Sequence, residues 1–528
     1  MQDGVMNTEV YTIEGGDLAR AGQASSRFKE RLKRIGVGPK DIRRAIIAAY
    51  EAEMNVAIHA RKGTMQVTID TGQVDVEVMD QGPGISDTSL AMQEGFSTAP
   101  AFARELGFGA GMGLPNIKKN SDRFAIRSTV GEGTCVSFAI IFDPQGILRP
   151  AANSVHVEPD RCCGCLHCLR VCPTQALRVR DSTPQILEHL CIDCAACIEA
   201  CETGALGMPA TSAVQRPSKD TVLILPSAFV AQFGGGVPPQ EVLGVLTAMG
   251  FSEVRPTETW ERALQNAVVG YAHEEAGTRP VISPVCPAVV NLVEMRFPSL
   301  IENVAPFLSP MEAVCEVLGG CHVVLVAACP SQRTALLSTG LKPNVETVAP
   351  SSLRNAVLPM ITTTPNAADR RPRQLPANTD SAVNVLQISG MQHVMSALEK
   401  AENGLLGDVE VIELFACDQA CFGSPLLTED PFVSRYRWAR MGGGLDRNAR
   451  AIRRQVPFSA RTGVRLDQDI TKAIEKLSKM DEVERSLPGK DCGMCGAPTC
   501  SALAEDIVLG RATASDCVHL PLHEDKTT

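Results

Sequence analysis

The sequence predicts a mixed α/β protein of several domains, on three observations. At 528 residues it is several times the length of a typical domain of about 100–150 residues. Its apolar residues change period along the chain, from helical to strand-like and back. Sixteen of its twenty cysteines fall into motifs with metal-ligand spacing. A hydrophobic content of 44% supports sizeable cores, although aromatics are only 4% and Trp260 and Trp438 are the two tryptophans. The net charge of −10 favours solubility and argues against nucleic acid as the main ligand. No apolar run approaches the roughly 18–20 residues of a membrane span. The start, MQDGVMNTEV, lacks the basic-then-apolar profile of a secretory signal. A cytoplasmic location is therefore expected, where thiols stay reduced and cysteines serve as metal ligands rather than disulfides.

Four segments follow one another. Residues 1–145 alternate helical and strand patterns and become glycine-rich; residues 150–208 hold nine cysteines in two tight groups. Residues 218–462 are apolar and mixed α/β, and residues 463–528 open with a polar helical linker and close on a third cysteine group. Breaks are expected at 209–219 and at 363–381, where Pro, Asn and charge replace periodic apolar residues.

In the first segment, DIRRAIIAAYEAEMNVAIHARK (41–62) reads as an amphipathic helix with Glu51, Asn55 and His59 stacked at i, i+4, i+8. A strand, VEVMDQGPGI, then ends in Asp80-x-Gly82-x-Gly84. LGFGAGMGLPNIKK follows, a glycine loop (Gly109, Gly111, Gly113) opening a helix, and later comes Gly131-Glu-Gly-Thr134. Glycines admit backbone N–H groups to phosphates, and a helix start adds a favourable dipole. The ordered set resembles the Bergerat-type ATPase, an α/β sandwich, and within it the serine kinases of the anti-sigma and switch-protein type. That resemblance implies that Asn55 ligates Mg²⁺, Asp80 binds the adenine amino group, and Gly82 and Gly84 shape the base pocket. It places Gly109, Gly111 and Gly113 along the ATP phosphates, Thr134 at the closing edge, and Glu51 as the general base. His59 has a structural reading as well as a functional one, and Cys135 is expected to pack within a strand.

The second segment reads Cys162-x2-Cys165-x2-Cys168-x3-Cys172-Pro173 and then Cys191-x2-Cys194-x2-Cys197-x3-Cys201. Each tight loop delivers three thiolates to one [4Fe–4S] cluster, and the fourth cysteine reaches across to the other. The implied sets are Cys162, Cys165, Cys168, Cys201 and Cys191, Cys194, Cys197, Cys172. Paired zinc knuckles are the alternative, but zinc sites seldom use three cysteines at this spacing. The segment resembles a bacterial two-cluster ferredoxin; Cys163 is spare and is expected to be a buried small residue rather than a ligand.

The third segment carries SPVCPAVVNLVE (283–294), VVLVAACPSQR (323–333) and IELFACDQACFGSP (412–425). In this order they resemble the three motifs of the [FeFe] hydrogenase catalytic domain, an α/β fold of two lobes. The resemblance implies a [4Fe–4S] cluster on Cys286, Cys329, Cys417 and Cys421, with Cys421 in the position that bridges to a two-iron group bearing CO and cyanide. The surroundings depart from the family. Val285 replaces the proton-shuttling cysteine, Gln332 a cyanide-binding lysine, and Ala327 and Phe415 two methionines. A persistent cubane without the two-iron group is expected. Glu413 matches a proton-transfer position, or it simply bonds backbone nearby. Cys315 and Cys321 read as free thiols.

The last group, Cys492-x2-Cys495-x4-Cys500-x16-Cys517, has Gly493 and Gly496 beside its ligands. It resembles the small single-cluster [4Fe–4S] domain of electron-transport B subunits and corrinoid iron–sulfur proteins; a structural zinc is the alternative. The whole implies four clusters, ATP and Mg²⁺. Three readings arise: an iron–sulfur redox-sensing regulator with an ATP-binding serine-kinase domain, a divergent hydrogenase or ATP-gated electron-transfer oxidoreductase, and a plain electron carrier. The expected partners are a redox protein (a ferredoxin or hydrogenase subunit) and a phosphorylation substrate.

Overall fold

Five antiparallel strands form the first sheet: β1 (Asn7–Glu14), β2 (Lys62–Ile69), β3 (Gln73–Asp80), β4 (Arg123–Thr129) and β5 (Gly133–Ile141), in the order β1-β2-β3-β5-β4. This computed structural model describes residues 6–18, 20–100, 111–142, 153–208, 217, 220–234, 237–274, 277–318, 321–338, 344–361, 385–441, 449–461 and 463–520. Gly109 and nearly all of both expected breaks lie outside them. The chain divides into two units, Met1–Leu148 with Thr462–Cys495 and Thr499–Thr528, and Arg149–Arg461 with Gly496–Pro498.

In the first unit every second residue of β2, β3 and β5 is apolar, so Met65, Val67, Val76, Val78, Val136 and Phe138 share one buried face. The register sets Met65 opposite Val78, and Val76 opposite both Val67 and Phe138. Helices Gln23–Ile35 and Pro39–His59 cover that face with Phe28, Leu32, Ile35, Ile42 and Ile46. Pro39 starts the second helix with its φ already helical. The first helix stops at Gly36, whose φ of 82° accepts the left-handed cap.

The stretch expected as a linker is a packed element. Helix Ile470–Ser486 buries Ala473, Ile474, Leu477 and Met480 along one stripe, and the first three, with Leu466, enter the same core as the sheet. Its polar edge is fixed as well. Arg31 donates to Asp481 at 2.8 and 2.6 Å and pairs with Glu9 at 2.5 Å, while Asn7 donates to Ser478 at 2.9 Å. Cys135, expected to pack, is instead half-exposed on β5 with Sγ 3.3 Å from Glu77 Oε1.

The second unit begins with two short antiparallel pairs, β6 (His156–Val157) with β9 (Leu206–Gly207) and β7 (Leu177–Arg180) with β8 (Thr183–Ile186). They frame short helices His167–Val171 and Ala196–Glu199. Two parallel sheets follow, one lobe each. The first runs β11 (Glu253–Pro256), β10 (Thr221–Leu225), β13 (His322–Val326), β14 (Asn344–Val348). The second runs β12 (Val281–Ile282), β16 (Val411–Phe415), β15 (Val385–Ser389). Strands β10 and β16 are buried along their whole length, as parallel strands covered on both faces must be. Cys286, Cys329 and Cys417 all follow the carboxyl ends of parallel strands, the edge where α/β sheets place ligands.

Candidate functional site

Helix Pro39–His59 aims Glu51 and Asn55 at the start of helix Gly113–Asn120. A Cβ at Gly113 would lie 3.3 Å from both Glu51 Oε2 and Asn55 Oδ1, so a larger residue would crowd both groups. Asn116, one turn on, donates its amide to Glu51 Oε1 at 2.7 Å. Burial holds the Glu51 carboxyl above the ordinary carboxylate range, and the Asn116 bond acts against that rise. Glu51 is thus a partly desolvated, oriented carboxylate, the state a general base requires.

Asp80 ends β3 and accepts the Gly82 N–H at 2.8 Å. Gly84, at φ 70°, lies so close to β4 that a Cβ would stand 2.1 Å from the Thr129 carbonyl oxygen. Ser128 and Thr134 hydroxyls bond to each other at 2.9 Å at the β4–β5 turn, and Gly133 lies against the Asp80 carbonyl. Gly111 packs against Gly95 and accepts its N–H at 3.0 Å. The structure therefore groups Glu51, Asn55 and Gly113, and gathers Asp80, Gly82, Gly84 and Thr134. His59 is an exposed residue, yet partial burial lowers its imidazole pKa, with the field of Asp80 acting the other way.

Sequence reasoning missed two residues here. Asn116 stands three positions after Gly113, and that spacing alone could have marked it. Glu53 gave no such signal. It is 2% exposed and accepts N–H groups from Gly22 at 2.9 Å, Ala24 at 3.0 Å and Ser25 at 2.9 Å. It thereby caps helix Gln23–Ile35, whose own N-terminal residue, Gly22, offers no side chain.

In the second unit the two cysteine loops repeat one conformation. Leu166 and Ala195 both take left-handed φ, 64° and 66°, each just before a helix that carries the third cysteine of its group. The Cys168 thiol is flanked by Cys165, Cys162 and Cys201; Cys197 is flanked by Cys194 and Cys172. Cys191 lies beside Cys197 and Cys194. Each expected set of four is thus brought together. Backbone N–H groups of Gly164 and Ala176 point at Cys162 and Cys172 sulfurs at 3.4 and 3.2 Å. Cys163, expected to be buried, is instead exposed.

Cys286, Cys329, Cys417 and Cys421 line one cavity with Ala328, Phe415, Ala416 and Cys194. Burial pushes Cys329 up to about 11 and raises Cys286, Cys417 and Cys421 too, so these thiols give up protons as metal binds. Cys194 belongs to the second ferredoxin group and stands within the field of both Cys329 and Cys417. Asp193, beside it, accepts the Ser154 N–H and the Thr334 hydroxyl, tying that loop to helix Pro330–Ser338. Among the described residues no three metal-ligating side chains converge as closely as a single ion requires, whereas a cubane spreads its four thiolates over its corners.

A cavity of about 330 Å³ adjoins the Cys421 side and is walled by Val285, Gln332, Phe415, Glu258, Glu261 and Glu413 among others. These residues do not fit the two-iron group. An anionic group bearing cyanide needs hydrogen-bond donors. Gln332 Oε1 and Glu258 Oε2 are instead buried acceptors with no donor, Arg262 is paired with Glu258, and Arg435 is engaged by Gln419 and Gln387. Glu413 takes amide hydrogens from Gln265 and Gln387 and is raised by burial; it does not bond backbone. Cys315 is buried and Cys321 half-buried, both free.

In the last group, Gly493 and Gly496 turn the chain at φ 74° and 77° between ligands. Cys500 starts helix Cys500–Val508, with its N–H on Asp491 at 2.7 Å, and Cys517 is buried.

Known families match each of these regions. Residues 16–140 match the histidine kinase-like ATPase domain family. The serine/threonine-protein kinase RsbT of Bacillus subtilis is 36% identical over 106 residues, covering 19% of this chain and 74% of that protein. Through this domain the chain belongs to the RsbT-type kinase family. An anti-sigma F factor of Caldanaerobacter subterraneus is 35% identical over 94 residues, 17% of this chain, which spans 62% of that factor. Residues 154–202 match the 4Fe-4S dicluster domain, 219–330 the C-terminal domain of the iron only hydrogenase large subunit, and 487–519 an Fe-S cluster family. The [FeFe]-hydrogenase HydA1 of Chlamydomonas reinhardtii aligns at 13% identity over 44% of this chain and 86% of that one, with a TM-score of 0.32. The chain is thus a fusion of an RsbT-type ATPase, a dicluster module, a hydrogenase-like domain and a terminal Fe-S domain.

Proposed function

We propose that this protein is a cytoplasmic redox-responsive regulator whose N-terminal domain transfers phosphate from ATP to a serine or threonine of a partner protein. The observation that carries this reading is the membership of one compact unit: it holds both the kinase-type sheet and most of the terminal iron–sulfur segment, and the helix leading into that segment shares the sheet's core. A kinase has no chemical need for clusters, so their presence points to control. Four [4Fe–4S] clusters are proposed, on the sixteen cysteines named above, exchanging electrons with a ferredoxin-like or hydrogenase-type partner.

At the ATP site, Asn55 would ligate Mg²⁺ and Asp80 would receive the adenine amino group. The backbone at Gly82 and Gly84 shapes the base pocket, and Gly109, Gly111 and Gly113 line the phosphates, with Thr134 at the edge. Glu51 takes the proton of the attacking hydroxyl and Asn116 fixes its orientation. Bound Mg²⁺ supplies charge neutralisation for the phosphates. The hydrogenase-like domain keeps its cubane cysteines, and electrons reach it past Cys194.

The test is anaerobic protein with labelled ATP, oxidised and reduced. Turnover and phosphotransfer are expected in at least one state and to differ between states. Glu51→Gln should abolish turnover while leaving nucleotide bound. Absence of nucleotide binding in both states would overturn the proposal.

A further inference from the structure

We propose that Arg34 couples the charge of the terminal cluster to the nucleotide site, through helix Gln23–Ile35 and the Glu53 cap. The inference rests on the ATP-site and terminal-cluster readings above and names the route between them.

Arg34 lies in the last turn of helix Gln23–Ile35, and its side chain is only 20% exposed. A buried guanidinium normally satisfies most of its five N–H donors. Arg34 does so poorly. Its Nε has no acceptor, Glu505 stands 3.9 Å away, the Ser501 hydroxyl 3.5 Å, and its remaining partner is the Met480 sulfur at 3.3 Å. Ser501 and Glu505 both sit on the helix that Cys500 begins. Ser501 is therefore the immediate neighbour of a cluster ligand and a partner of an under-satisfied, low-dielectric cation. Glu505 also pairs with Arg511 at 3.4 Å, so it is shared between two arginines.

Reduction places one electron from a low-potential one-electron carrier on the cluster and makes or breaks no bond. The added negative charge acts on Arg34, an incompletely paired cation whose partner Ser501 adjoins a ligand and whose interactions are stronger here than in water. Arg34 cannot move alone. Its carbonyl accepts the Leu466 N–H at 2.9 Å, and its helix, roughly 20 Å long at 1.5 Å per residue, is buried along Phe28, Leu32 and Ile35. At its far end the helix ends on Glu53, two residues from both Glu51 and Asn55. A shift of the rod is thus delivered to the helix that faces ATP. The residues suit a cluster here: Gly493 and Gly496 turn backbone about the ligands, and residues 487–519 match an Fe-S family.

Linkage makes the coupling reciprocal: if reduction changes nucleotide affinity, nucleotide shifts the cluster potential by the same factor. The experiment uses the full-length, cluster-loaded protein and a non-hydrolysable ATP analogue. Binding is followed by fluorescence in both redox states. The cluster potential is followed by electron paramagnetic resonance with and without analogue, the signal being assigned by its loss in Cys517→Ala. A change in affinity of about tenfold is expected, matched by a potential shift of about 59 mV. Arg34→Met, which preserves packing against Met480, and Glu505→Gln should each reduce both effects to under twofold while the cluster signal persists. Cys286→Ala should leave them intact. Analogue binding that is equal in both states, or coupling unchanged in Arg34→Met, overturns the proposal. Failure of the analogue to bind at all would instead sink the kinase reading.

Discussion

Replacing Glu53 with alanine should destabilise the first unit while sparing Glu51 and Asn55, which face Gly113. The carboxylate is buried and accepts three N–H groups, two of them from the buried Ala24 and Ser25. Alanine offers no acceptor. Each buried donor left without a partner costs about 1–3 kcal/mol, and water entering the vacated space recovers part of that. A net loss of about 3 kcal/mol follows. For a unit of roughly 150–250 residues, 1 kcal/mol moves Tm by about 2–4 °C, so the expected fall is about 6–12 °C. Glu53→Gln keeps one acceptor oxygen and should fall between wild type and alanine. The assay is calorimetry or circular dichroism under anaerobic conditions, with Glu51→Gln as the control on the same helix. A Glu53→Ala protein melting within about 2 °C of wild type would show that the three bonds do not hold the helix.

Other outcomes follow from the same geometry. Glu51 works as a base only when ionised, and burial raises its pKa, so turnover should climb as pH rises through that raised value. Asn116→Ala removes the bond that opposes the rise, so the acid limb of the pH–rate profile should move to higher pH. Arg31→Met leaves Asp481 and Glu9, both partly open to solvent, without their shared cation beside a packed helix; a loss of about 1–3 kcal/mol is expected, with faster proteolysis near Asp481 as the readout. Anaerobically loaded protein should hold about 16 iron atoms, four per [4Fe–4S] cluster. Cys286→Ser should lose about four of them, Cys163→Ser none, and infrared spectra should lack metal-bound CO and cyanide bands.

What the sequence disclosed was local. Cysteine spacing, glycine loops and the Glu51–Asn55 face are set within a few residues, where short-range sterics leave few choices. Glu53 shows the limit. It stands two residues from Glu51 on one helix, and the helical period turns the two onto different faces. Nothing in its neighbourhood says that one faces the start of helix Gly113–Asn120 and the other caps a distant helix. Helix Ile470–Ser486 is similar: the sequence reads it as a polar helical linker, but its partner Arg31 lies 450 positions away from Asp481, and loop closure on that scale leaves no trace in periodicity. The substitutions at Val285 and Gln332 announced a changed cavity. That its walls hold acceptors without donors depended on Glu258, which comes from another motif-free helix.

The interleaving of the two units also orders events during synthesis. Residues 149–461 are made after the β-sheet and before the helix that completes its core. At about 5–20 residues per second, on the order of 15–60 s separates the two. Through that interval strand β1 and the outer face of helix Gln23–Ile35 wait uncovered, a surface for chaperones. The kinase half is thus finished only after every cysteine from Cys162 to Cys421 has left the ribosome.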